Sequence, residues 1–152
     1  MNAKSPDPAA VLRREYQGDL ATLRAARRDV VEWLTQLGAD EETKARAALI
    51  VSELTSNAIQ AAPGSPYNLD VVRLDDDSAA ITVRNHPVDS LPPGRELWRR
   101  APETQIQKLL PKGRGLAIVD SLSQEVTVEH RGDDVVVTAR VRIDYNELGP
   151  SK

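Results

Sequence analysis

The chain has 152 residues, a formal net charge of -3 and no cysteine, enough length for one domain with a real core but not for two. Disulfides and thiolate metal sites are excluded, and with only two histidines a histidine-rich zinc site is too. The acidic balance argues against a nucleic-acid surface, and no apolar leader or membrane-length run occurs, so a cytoplasmic protein without direct contact to nucleic acid or membrane is expected.

Residues 1 to about 17 carry Pro6 and Pro8 and read as a flexible arm or a poorly paired edge strand. From Asp19, a suitable N-cap, the residues Leu20, Leu23, Ala26, Val30, Leu34 and Leu37 form an apolar stripe that stops at Gly38, which predicts a helix over 19–37. Arg24, Arg27 and Arg28 lie off that stripe. A solvated basic face is the ordinary explanation, and a partner contact is the alternative. A second helix starts at Asp40, with Glu41 and Glu42 where the helix dipole favours negative charge, and is ended by Pro63-Gly64.

Within that second helix, Ala47, Val51, Leu54, Ala58 and Ala61 recur at helical spacing, and Glu53 and Asn57 fall four residues apart on one face. A carboxylate in that position can take the proton of a hydroxyl nucleophile, and an amide oxygen is a hard ligand suited to a partly hydrated Mg²⁺. Two solvated polar residues on an ordinary helix would look the same.

Two hairpins are expected. Tyr67 to Leu74 and Ala79 to Asn85 flank an Asp75-Asp76-Asp77-Ser78 turn, and Gln124 to His130 and Val135 to Ile143 flank Arg131-Gly132-Asp133-Asp134. In the second strand the two-residue period puts Asn85 on the same face as Ile81 and Val83, and so toward the core. Between the hairpins, residues 86–112 hold six prolines or glycines in irregular order, the pattern of a lid, a binding loop or disorder, with a short helix at 97–110. That segment ends at Lys112-Gly113-Arg114-Gly115-Leu116, after which Leu116, Val119 and Leu122 read as a helix. Glycines before a helix allow close approach of a ligand, and the free N–H groups of the helix start attract phosphate. The folded domain is thus expected over 18–144, with a frayed tail at 145–152. Its class is α+β, a two-layer sandwich with helices on one face of a mainly antiparallel sheet.

These features, in this order, resemble the GHKL ATPase superfamily with its Bergerat fold, and the short form is most similar to the bacterial anti-sigma-factor serine kinases. The likeness spans roughly Asp19 to Ile143. Glu53-Leu54-Thr55-Ser56-Asn57-Ala58 resembles the N box, which implies Glu53 as general base and Asn57 as the Mg²⁺ ligand. Gly113-Arg114-Gly115-Leu116 resembles the glycine box, which implies phosphate contacts from Lys112 to Leu116. The loop between would be the ATP lid. The adenine box departs from the pattern: Val83-Arg84-Asn85-His86-Pro87-Val88-Asp89 places Asn85 where the family carries Asp, and Pro87 where it carries Gly. A neutral amide in place of a charge-assisted acceptor weakens base binding by roughly 1–2 kcal/mol, about ten- to thirtyfold. Gln60-Ala61-Ala62 replaces a frequent His-Ala ending, and Val135 stands near a usual Thr.

The resemblance implies an ATP- and Mg²⁺-dependent protein serine/threonine kinase that phosphorylates a small anti-anti-sigma protein and sequesters a sigma factor, a reading that the retention of both Glu53 and Asn57 favours. A partner-binding regulator of the same fold, with lost or altered nucleotide binding, is the alternative that Asn85-His86-Pro87 favours. A sensor histidine kinase domain is a third, disfavoured because no helical pair with a phospho-accepting His is seen before the domain. Family members also imply a homodimer.

Overall fold

The computed structural model describes residues 11–86 and 114–146. Its elements run β1 (Val11–Tyr16), α1 (Ala21–Leu37), α2 (Glu41–Ala61), β2 (Tyr67–Asp75), β3 (Ser78–Asn85), α3 (Arg114–Leu122), β4 (Glu125–Arg131) and β5 (Asp134–Arg142). The five strands form one antiparallel sheet in the order β1-β2-β3-β5-β4. The α+β class with helices on one face of an antiparallel sheet is therefore what the chain adopts. Among the described residues no helix is long and apolar enough to cross a membrane.

Alternation along each strand builds the inner layer. Ile81 lies between Val71 and Ala139 in the register, Val83 lies between Leu69 and Val137, and all six are buried. Against them pack Val30, Leu34 and Leu37 of α1, Ile50, Val51 and Leu54 of α2, and Leu116 and Val119 of α3, joined in one cluster. Tyr67 is the largest fully buried side chain. Its hydroxyl meets the Thr22 Oγ1 at 2.8 Å, which satisfies the one polar atom it takes inside. Tyr16 stacks obliquely on Tyr67 with ring centroids 5.5 Å apart and donates its hydroxyl to Asp29 Oδ2 at 2.6 Å. Burial, and then the Asp29 carboxylate, push the Tyr16 phenol above its ordinary range.

The helix ends follow local chemistry. Asp40 caps α2, its Oδ1 accepting from the Thr43 N–H at 2.8 Å. Gly38 ends α1 at φ 89°, the left-handed conformation that lets Ala39 N–H bond back to the Leu34 carbonyl at 3.0 Å. The start of α1 falls two residues later than the sequence predicts. Asp19 does accept a capping bond from Ala21 N–H at 3.0 Å, but Thr22 and Leu23 bond to carbonyls three residues back, so the entry is a tight turn. Leu20, expected in the apolar stripe, is consequently 68% exposed.

Both ends of the domain are more ordered than the sequence suggests. Of the two readings of this stretch, Val11–Tyr16 takes the edge strand rather than the flexible arm, and pairs with β2 in full register rather than poorly. Tyr145 and Asn146, expected to fray, are tied down: Tyr145 bridges Ala39, and the Asn146 N–H donates to the Gly38 carbonyl at 3.0 Å. Asp40 N–H donates to the Asp144 carbonyl at 2.8 Å, and Asp144 N–H donates to the buried Thr43 hydroxyl at 2.9 Å. The signal missed was the polar character of these partners, which an apolar-period reading does not see. The expected helix at 97–110 lies outside the described residues.

Candidate functional site

The site forms where α2 passes over the ends of β3 and β5. Asn57 comes from α2, and Asn85 is the last residue of β3. Both are 7% exposed. They line one narrow crevice with a cavity volume of only about 10 Å³, whose other walls among the described residues are Leu54, Ala58, Ala61, Val83, Val135 and Val137. Among the described residues, two amides are thus the polar side chains of an otherwise aliphatic slot.

Among the described residues neither Asn57 Nδ2 nor Asn85 Nδ2 has a hydrogen-bond partner, and both are buried. An unsatisfied buried donor costs ~1–3 kcal/mol, so two in one crevice mark a place for a hydrogen-bonding partner, which at the present width is no larger than a water. The hydroxyls nearby are already used. Thr55 Oγ1 donates to the Val51 carbonyl at 2.7 Å and Ser52 Oγ to the Ala48 carbonyl at 2.9 Å, which leaves the amides as the available groups.

Glu53 stands one turn before Asn57 on α2 and is half-buried. Among the described residues no three His, Asp or Glu side chains converge as a metal site. A divalent ion here would rest on the Asn57 oxygen and on ligand oxygens and waters, a sparse set that suits Mg²⁺. Of the expected phosphate segment, Arg114 and Gly115 open α3 with their backbone, while Leu116 is fully buried in the core. Leu116 therefore anchors the helix with its side chain and has only its backbone to offer a ligand. Lys112 and Gly113 lie outside the described residues.

A charged cluster at the same end of β3 and β5, on the sheet face opposite the crevice, was not anticipated. Asp134, the first residue of β5, receives His86 Nδ1 at 2.6 Å on one carboxylate oxygen and Arg84 Nε on the other. Burial works against its ionisation but is outweighed by the hydrogen bonds from His86 and Arg84, which hold the carboxyl below its ordinary range. The sequence showed Asp134 only as a turn residue, and its partners became visible once the Arg84↔Val136 register was known. Val135 and Val137 were likewise strand residues with no hint that they would wall a crevice.

An antiparallel sheet covered on one face by helices, with a polar pair sunk between the long helix and the strands, defines a two-layer α+β sandwich. A family model described as the histidine kinase-like ATPase domain matches residues 16–141, and the chain belongs to that family. Among solved structures it is similar to the RsbU and RsbW domains of Rv1364c from Mycobacterium tuberculosis, with a TM-score of 0.66, 17% identity, and coverage of 97% of this chain and 36% of that one. It is also similar to the SiaB-SiaC complex from Pseudomonas aeruginosa, with a TM-score of 0.59, 14% identity, and coverage of 89% and 92%. At these identities the likeness is one of fold, and the chain spans little more than a third of the first structure's length. A search of curated protein sequences returned no match.

Proposed function

We propose that this chain is a nucleotide-binding regulator of the anti-sigma-factor type, which binds ATP with Mg²⁺ between α2 and the sheet and phosphorylates a serine of a small anti-anti-sigma partner. The observation that carries the reading is the pair of buried amides in one crevice whose Nδ2 atoms have no partner among the described residues, in a chain of the histidine kinase-like ATPase family. The similar RsbW domain and the SiaB-SiaC complex support a partner-switching role. Asn85 meets the base, the Asn57 oxygen is the protein ligand to Mg²⁺, and the backbone of Gly113 to Leu116, with Lys112 and Arg114, steadies the phosphates. Glu53 accepts the proton of the seryl hydroxyl as that oxygen bonds to phosphorus and the bond to the departing diphosphate breaks. Bound Mg-ATP supplies the electrophilic phosphoryl group; orientation and proton removal fall to the chain.

A second reading, a partner-binding protein without chemistry, is favoured by the narrowness of the crevice and the neutral Asn85 at its base. Calorimetric titration of Mg-ATP decides between them. Micromolar binding that weakens at least tenfold in Asn57→Ala supports the nucleotide reading. No heat at high micromolar concentrations, matched by no thermal shift, supports the second. Sigma-factor sequestration is tested separately, by co-purification of the chain with candidate sigma factors.

A further inference from the structure

We infer that β1 is the seam of a dimer: a second copy of this chain pairs with its free edge, antiparallel about Arg14, and the two sheets join edge to edge as one.

β1 ends the sheet, and among the described residues only β2 pairs with it. The strand stays in register along its whole length, with no bulge and no proline, and an edge of that kind is a template for a further strand. Beside it α1 leaves a cavity of about 250 Å³, walled in part by Leu12, Arg14, Asp29, Glu32 and Trp33. The indole N–H of Trp33 is buried and has no hydrogen-bond partner among the described residues, whereas a tryptophan taken inside ordinarily finds one. The edge thus lacks both a neighbouring strand and the side chains that would fill the space beside the helix.

The sequence of β1 selects the occupant. Leu12, Arg14 and Tyr16 lie opposite Val71, Leu69 and Tyr67 on the helix side, and Arg13 and Glu15 lie opposite Asp70 and Asn68 on the open face. A two-fold axis perpendicular to the sheet keeps both helical layers on one side. Facing residues then point the same way, so the axis passes beside a residue rather than between two. With the axis at Arg14, Arg13 faces the second copy's Glu15 and Glu15 faces the second copy's Arg13, two opposite-charge pairs on the open face. Both side chains are exposed, and neither makes an ion pair among the described residues. On the helix side Leu12 faces the second copy's Tyr16, and the two Arg14 side chains are set against the Asp29 and Glu32 carboxylates that wall each cavity. With the axis at Arg13 or at Glu15, that residue faces its own like charge on the open face. The opposite edge, β4, lacks the match, since its Arg131 is already held by Glu129 at 2.9 Å.

The test is sedimentation equilibrium of the full chain at low salt, with Arg13→Glu, Glu15→Arg and the exchanged double variant beside it. All three change exposed side chains and leave the core intact. A dimer whose dissociation constant rises about tenfold or more in each single variant, and returns to within about threefold in the double variant, supports the inference. A chain that stays monomeric at about 100 micromolar overturns it, as does a dimer that is indifferent to the single changes or is not restored by the exchange. Protection of the β1 edge amides from hydrogen exchange in a monomer also overturns it, and gives the edge to residues 1–10 of the same chain.

Discussion

Asn57 and Glu53 share one helix face but differ in what surrounds them. Asn57 is sealed among aliphatic walls, so its removal leaves a void and one fewer hydrogen-bonding group, whereas Glu53 is half-exposed and can be altered without disturbing the core. Glu53→Gln should therefore leave Mg-ATP affinity within about threefold and lower phosphoryl transfer to a serine acceptor by roughly 10²–10⁴, measured as single-turnover incorporation of labelled phosphate. An unchanged rate would remove Glu53 from the role of base. Asp134 makes a different prediction. Its carboxyl is held below the ordinary range in the folded chain, so the stability it contributes is present above the unfolded carboxylate value of about 3.9 and is lost as pH falls through the folded value. Asp134→Asn should lower stability by ~1 kcal/mol at neutral pH, and urea midpoints for the two chains should converge as pH drops below about 4. A gap that persists there would place the effect in packing rather than in ionisation.

At the level of elements, the turn between β1 and α1 depends on a missing side chain. A Cβ on Gly18 would lie 2.2 Å from the Ser65 carbonyl oxygen, and the Gly18 carbonyl already accepts from Gly64 N–H at 2.9 Å. Two backbones cross at that point, so Gly18→Ala must push them apart, with an expected cost of ~1–3 kcal/mol by thermal or urea unfolding. An unchanged midpoint would show that the turn yields freely.

Elements whose information is local were legible in the sequence. The Asp40 cap, the Gly38 stop and the two hairpin turns each sit within a few residues of the bonds they make. The same is true of the inward face of Asn85, because strand period alone sets it. What was not legible depends on residues far apart in the chain. Val11–Tyr16 becomes a strand only because β2 offers an edge. The crevice requires Leu54, Val83 and Val135 to meet, and no local pattern encodes that meeting.

Across the whole molecule, one clasp joins the C-terminal end of the sheet to the helical layer. Thr43, 1% exposed, accepts from Asp144 N–H at a separation of 101 residues, and Arg46 reaches Asp144 Oδ2 at 3.2 Å. Thr43→Val keeps the volume but leaves the Asp144 N–H without its acceptor, which should cost ~1–3 kcal/mol and speed amide exchange at Asp144 and Tyr145. Unaltered exchange at both would mean that the clasp is held by the Asp40 and Ala39 backbone alone. The sheet order carries a consequence for synthesis. β5 is the last strand in the chain, yet it sits between β3 and β4. A nascent chain that has emerged only as far as β4 holds at most a β1-β2-β3 sheet, with the β3 edge open and the Val135 and Val137 wall not yet made. The crevice is thereby unfinished in an incomplete polypeptide on the ribosome, and the open β3 edge is the surface that a chaperone or a neighbouring nascent chain would meet first.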